Sequence, residues 1–135
     1  MDAEAGGCGA RKILYIDDDP HFGIIARGML ERIGHQVTVF ECPLQGLAAL
    51  SASPAGWDMV ITDFRMPRMN GLEVAREVSR QHPGLRIAVV SHCVGGDAAI
   101  DVLSAGLGPM LPKPCTVHEF KALIEQVARQ PPQAH

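Results

Sequence analysis

Four short apolar runs along the chain each end abruptly on a residue able to do chemistry. Ile13-Leu14-Tyr15-Ile16 stops on Asp17-Asp18-Asp19, and Met59-Val60-Ile61-Thr62 stops on Asp63. Ile87-Ala88-Val89-Val90 stops on Ser91, and the shorter Met110-Leu111-Pro112 stops on Lys113-Pro114. Successive apolar positions of this kind are expected of strands buried on both faces, as in a parallel sheet covered by helices. A fifth run, Gln36 to Glu41, alternates with Val37 and Val39 apolar and reads as a further strand.

The stretches between the strands carry helical spacing and helix punctuation. Asp19-Pro20 offers an N-cap and a first-turn proline, Phe22, Ile25, Met29 and Ile33 predict an apolar face, and Gly34 ends that helix. Pro43 to Leu50 predicts a short second helix, and Ser51 to Gly56 a loop. Phe64 to Gly71 is turn chemistry leading into a third helix, supported by Leu72, Val74, Ala75 and Val78 and closed by His82-Pro83-Gly84. A fourth helix is expected from Asp97 to Gly106, after Gly95-Gly96. The last begins at the capping box Thr116-Val117-His118-Glu119, buries Phe120, Leu123, Ile124 and Val127, and stops before Pro131-Pro132. Five β-α units with right-handed crossovers place helices on both faces of a five-stranded parallel sheet. The fold class is therefore α/β, doubly wound, in a single domain.

A strand end is where open α/β sheets hold their ligands. A lone carboxylate there is most simply a helix cap or a partner for loop amides. An acidic cluster, an aspartate, a hydroxyl and a lysine delivered together to one sheet edge form a constellation. Three carboxylates in one place repel one another, and a divalent cation resolves the conflict. Asp17, Asp18 and Asp63 supply hard oxygen donors, which suit magnesium better than zinc. Asp19 is expected to cap its helix rather than bind metal, on the strength of Asp19-Pro20.

The combination and order of these motifs resemble the receiver domain of two-component response regulators, the chemotaxis response regulators included. The likeness covers about residues 11 to 129. Asp17 and Asp18 match the family's acidic pair, Asp63 its phospho-accepting aspartate, Ser91 its Ser/Thr switch position and Lys113 its lysine before proline; Met66-Pro67 and Asn70-Gly71 match the loop after the phospho-acceptor. The resemblance implies strand order 2-1-3-4-5 and a cis Lys113-Pro114 bond. It also implies a bound magnesium ion, or manganese in its place, held by Asp17, Asp18, Asp63 and the main-chain carbonyl of Arg65. It implies that a phosphoryl group passes to Asp63 from a histidine kinase or histidine phosphotransfer protein, and that an output domain or target protein reads the result. The family's aromatic on the last strand is replaced here by Met110, and His92 stands where a small residue is usual. Both departures bear on how the signal leaves the site and how long the phosphoryl group survives.

A different class, the aspartyl-phosphate phosphohydrolases of haloacid-dehalogenase type, also places Asp at the end of a parallel strand. Its general acid lies two residues later, where this chain has Arg65, so leaving-group protonation is missing. A flavodoxin-like cofactor site is disfavoured because Asp17-Asp18-Asp19 repels a phosphate.

Composition narrows the setting. With 135 residues, 47% hydrophobic and 20% charged, the chain suits one compact domain. A formal charge of −3 and scattered arginines leave no electrostatic footprint for direct nucleic-acid binding. No apolar run is long enough to span a bilayer, so a soluble, cytoplasmic protein is expected. Cys8, Cys42, Cys93 and Cys115 lack metal-ligand spacing and read as reduced thiols; a link between Cys93 and Cys115 is the weaker alternative. Residues 1–10 read as a disordered leader, 11–129 as the domain and 130–135 as a tail or the start of a linker.

Overall fold

The computed structural model describes residues 10–91, 110–112 and 116–129. Among the described residues the strands are β1 (Lys12–Ile16), β2 (Gln36–Phe40), β3 (Met59–Asp63), β4 (Arg86–Ser91) and β5 (Met110–Pro112). They form one parallel sheet in the order β2-β1-β3-β4-β5. The helices among the described residues are α1 (Pro20–Ile33), α2 (Pro43–Ala52), α3 (Gly71–Gln81) and α4 (Val117–Arg129). The helix expected at 97–106, residues 1–9 of the leader, the tail, Cys8, Cys93, Cys115, His92 and the Lys113-Pro114 bond lie outside the described residues. Cys42 is a free thiol, partly buried before α2.

Side chains alternate across the sheet as the pleat requires. Ile13, Tyr15, Met59, Ile61, Ala88 and Val90 face one side and pack against α1 and α4. Leu14, Ile16, Val60 and Ile87 face the other and pack against α2 and α3 through Leu50, Val74 and Val78. The Tyr15 and Phe120 rings meet edge-on, centroids 6.5 Å apart, tying the centre of β1 to α4.

Register is pinned at the amino-terminal edge. Asp58 donates its backbone N–H to the Lys12 carbonyl at 2.8 Å and accepts the Lys12 N–H on its carboxylate at 2.7 Å. The Lys12 ammonium lies 5.0 Å from the centre of the Trp57 ring. These contacts set Ile16 opposite Thr62 at the far end of the same two strands.

Helix ends follow the expected chemistry. Asp19 accepts the His21 and Phe22 amides at 3.0 and 3.3 Å, and Gly34 adopts φ 109°, a left-handed conformation that costs glycine little. Thr116 and Glu119 exchange backbone and side-chain bonds at 2.8 and 3.0 Å, the capping box in full.

Three expectations need correction. The apolar face of α1 runs through Phe22, Ala26 and Leu30, with Met29 and Ile33 at its rim, while Ile25 is 51% exposed and Ile24 71%. Apolar residues at 24, 25, 29, 30 and 33 fit two helical phases, and packing against β2 selects the one that also buries Gly23. The second helix continues to Ala52, and the loop after it contains a 3₁₀ turn, Pro54–Gly56. The second strand stops at Phe40, so Glu41 falls outside it.

His35 is buried between α1 and β2, where its Nδ1 accepts the Arg11 backbone N–H at 3.1 Å. Burial, and secondarily the Arg11 guanidinium, lower its pKa below the ordinary 6.5. The unfolded chain therefore binds a proton here more readily than the folded one. This contribution to stability is complete above the unfolded value and is lost as pH falls through it toward the folded value. Urea midpoints measured downward from pH 7.5 should fall for the wild type and fall less for His35→Gln, which keeps an acceptor and no titrating group.

Candidate functional site

All five residues of β3 are buried, and β3 delivers Asp63 to the carboxyl edge of the sheet at 4% exposure. One strand over, β1 ends at Ile16 and Asp17 follows it, fully buried. Asp17 is fastened from two sides. Its backbone N–H donates to the Phe40 carbonyl at 3.0 Å, and its carboxylate accepts the Asp19 N–H at 2.9 Å. Asp18, next in sequence, is exposed. Asp19 is turned to capping α1, as its pairing with Pro20 predicts.

One oxygen from each of Asp17, Asp18 and Asp63 lies within 4.8 Å of the others. Two buried carboxylates and one exposed carboxylate fit a small hard cation. The buried pair would hold such an ion, and the exposed side would leave room for its waters. Three ionised carboxylates this close repel one another when no cation lies between them.

The loop after Asp63 is built as carefully as the strand before it. Phe64 donates its N–H to the Val90 carbonyl of β4 at 2.8 Å and accepts the Gly71 N–H on its own carbonyl at 2.6 Å. α3 starts on a capping box in which Asn70 accepts the Glu73 N–H at 2.8 Å and Glu73 accepts the Asn70 N–H at 2.9 Å. That second box was not anticipated from the sequence, although Asn-x-x-Glu before an apolar run is its signature. Gly71 lets α3 come this close, since a Cβ there would sit 2.6 Å from the Asp63 carbonyl oxygen and 2.8 Å from the Phe64 Cα. An open cleft of about 370 Å³ lies over the loop, lined by Phe64, Arg65, Met66, Pro67 and Asn70.

Ser91 ends β4 and its backbone pairs with Pro112 of β5, so the ends of β4 and β5 reach the same edge. Lys113 follows directly in sequence but is outside the described residues. Arg65 has an exposed side chain in the loop.

A doubly wound parallel sheet with an acidic triad at its carboxyl edge defines an α/β module whose strand-end aspartate lies in a group of carboxylates that could hold a cation. The match to known proteins is specific. The family model of the response regulator receiver domain fits residues 13–125, and the chain belongs to that family. It is 32% identical over 111 residues to the DNA-binding transcriptional regulator NtrC of Salmonella typhimurium, covering 82% of this chain and 23% of NtrC. It is 30% identical over 122 residues to the aerobic respiration control sensor protein ArcB of Escherichia coli, covering 87% of this chain and 15% of ArcB. It thus spans less than a quarter of these relatives' lengths. Among solved structures, a response regulator receiver domain protein from Clostridium thermocellum superposes with a TM-score of 0.80 at 27% identity, over 87% of this chain and 93% of that one. The chemotaxis protein CheY4 of Vibrio cholerae shares the fold, with a TM-score of 0.79 at 21% identity over 88% and 99% of the two chains. Among the described residues no helix is long and apolar enough to cross a membrane.

Two outcomes follow from this geometry. In metal-free protein Asp18→Asn should leave stability unchanged or raise it slightly by removing one of three like charges, read from urea unfolding. Gly71→Ala should lower it by about 1–3 kcal/mol because backbone, not a flexible side chain, blocks the added methyl.

Proposed function

We propose that this receiver domain accepts a phosphoryl group on Asp63 from a phosphohistidine, in a reaction that needs a divalent cation. The observation carrying this reading is the meeting of Asp17, Asp18 and Asp63 within 4.8 Å at the carboxyl edge. An Asp63 carboxylate oxygen attacks phosphorus; the new P–O bond forms as the P–N bond to imidazole breaks, and the ring departs. Magnesium, or manganese in its place, when held by Asp17, Asp18, Asp63 and the Arg65 carbonyl, supplies charge neutralisation for the transferring group. The Lys113 ammonium offsets further negative charge, and the Ser91 hydroxyl donates to a phosphoryl oxygen once it is attached. Water attack on the acyl phosphate later discharges the site. The protein is thus a phospho-accepting signalling module that catalyses its own loading and discharge rather than an enzyme acting on a metabolite.

In this reading residues 11–129 are the working unit, 1–10 a leader and 130–135 a tail or the start of a linker, and the module works in the cytoplasm. The donor is a histidine kinase or a histidine phosphotransfer protein. The recipient of the signal is an output domain or a separate target reached through a changed surface, with Met110 in place of an aromatic altering how Ser91 movement is read.

Incubation with acetyl phosphate and magnesium, followed by intact-mass spectrometry, should add one phosphate to the wild type. Chelation should abolish the addition, and Asp63→Asn should remove it. Labelling of Asp63→Asn at the wild-type rate would assign the acceptor elsewhere.

A further inference from the structure

Thr62 is the one hydroxyl in the middle strand of the sheet and is fully buried, with Ile16 and Val89 as its strand neighbours. Strand formation and packing at this position ask only for a β-branched side chain, which valine supplies without burying a polar group. The hydroxyl has a different use: it donates to the carbonyl of Asp63 at 3.0 Å. That same carbonyl oxygen is the atom a Cβ at Gly71 would meet at 2.6 Å. The same peptide is held a second time by its Phe64 N–H, which donates to the Val90 carbonyl, and the next peptide is held by the Phe64 carbonyl, which accepts the Gly71 N–H.

We propose that the buried Thr62 hydroxyl, acting with the bare Gly71, locks the Asp63–Phe64 peptide, and that this lock sets the pose in which Asp63 and the loop after it meet the ion. Thr62 is a positioning residue: it touches neither phosphoryl group nor metal and works through the Asp63 main chain. The part that concerns the ion rests on the function proposed above. The lock itself does not.

Loss of the hydroxyl removes one donor from the Asp63 carbonyl and one restraint on the peptide, so the amides of Phe64 and Gly71 should open more often. The remainder of the sheet keeps its packing, since the replacement is the same shape. Outer-shell partners of metal ligands carry about tenfold or more of ion affinity, which sets the size of effect to look for.

The test uses the full chain and two variants, Thr62→Val without the hydroxyl and Thr62→Ser with it. Native-state amide exchange in metal-free protein should rise about fivefold at Phe64 and Gly71 in Thr62→Val, stay near wild type in Thr62→Ser, and leave the central amides of β1 and β4 unchanged. Magnesium titrated calorimetrically should bind about tenfold more weakly to Thr62→Val and within about twofold of wild type to Thr62→Ser. Unchanged exchange at Phe64 and Gly71, or uniformly faster exchange through the core, overturns the lock. Faster exchange with unaltered magnesium affinity overturns its link to the ion. A wild type that binds no magnesium overturns the ion reading, and the exchange result still decides the lock.

Discussion

The parallel pairing of β1 with β3 is the constraint on which the site depends. With Ile16 opposite Thr62, the residues that follow, Asp17 and Asp63, emerge side by side from the middle of the sheet. A slip of one residue turns every side chain of a strand to the opposite face, so a shifted register would scatter the carboxylates and bury the wrong apolar set. The register is held from the other end by Asp58, bonded to both the N–H and the carbonyl of Lys12. Side chains at the amino-terminal edge thus contribute to a site one strand length away.

The electrostatic cost of the triad is carried by the sheet. Apolar clusters on both faces, with Tyr15 and Phe120 at the centre of one, supply a core that tolerates a repulsive edge. At the opposite edge His35 is kept neutral by burial and used as an acceptor for Arg11, so that edge carries a buried titrating group of its own. The two edges respond to different conditions. A cation taken up as proposed would act on the carboxylates, whereas His35 answers to acidification.

Much of this was legible in the sequence because the informative features are local. Uninterrupted apolar runs mark strands covered on both faces, and the runs end on Asp17-Asp18-Asp19 and on Asp63; Asp19-Pro20 set Asp19 aside as a cap, and the family resemblance picked out Asp17 and Asp18 as a pair. The Asp19-Pro20 start, the Gly34 stop and the Thr116–Glu119 box were likewise readable, since caps are set by two or three neighbouring residues. The face of α1 was misread at Ile25 because helical periodicity leaves the phase open when apolar residues occupy two adjacent stripes. Only the partner surface decides, and that is tertiary information. The strand order came from family resemblance, since a buried strand carries no mark of its neighbours.

Thr62 shows the limit from the other side. In sequence it reads as one more β-branched strand residue, and its hydroxyl has no visible purpose. Its role emerges only when the Asp63 carbonyl is seen between that hydroxyl and the start of α3. Gly71 is similar: it reads as turn chemistry, yet what matters is the backbone it faces across the loop. Both residues act on main-chain atoms rather than on the carboxylates. A strand-end carboxylate needs more than the right side chain, because the loop that must meet it is placed by the ψ angle of its residue and the peptide plane beyond it. In this chain those are constrained by a hydroxyl one residue earlier and by a missing methyl eight residues later.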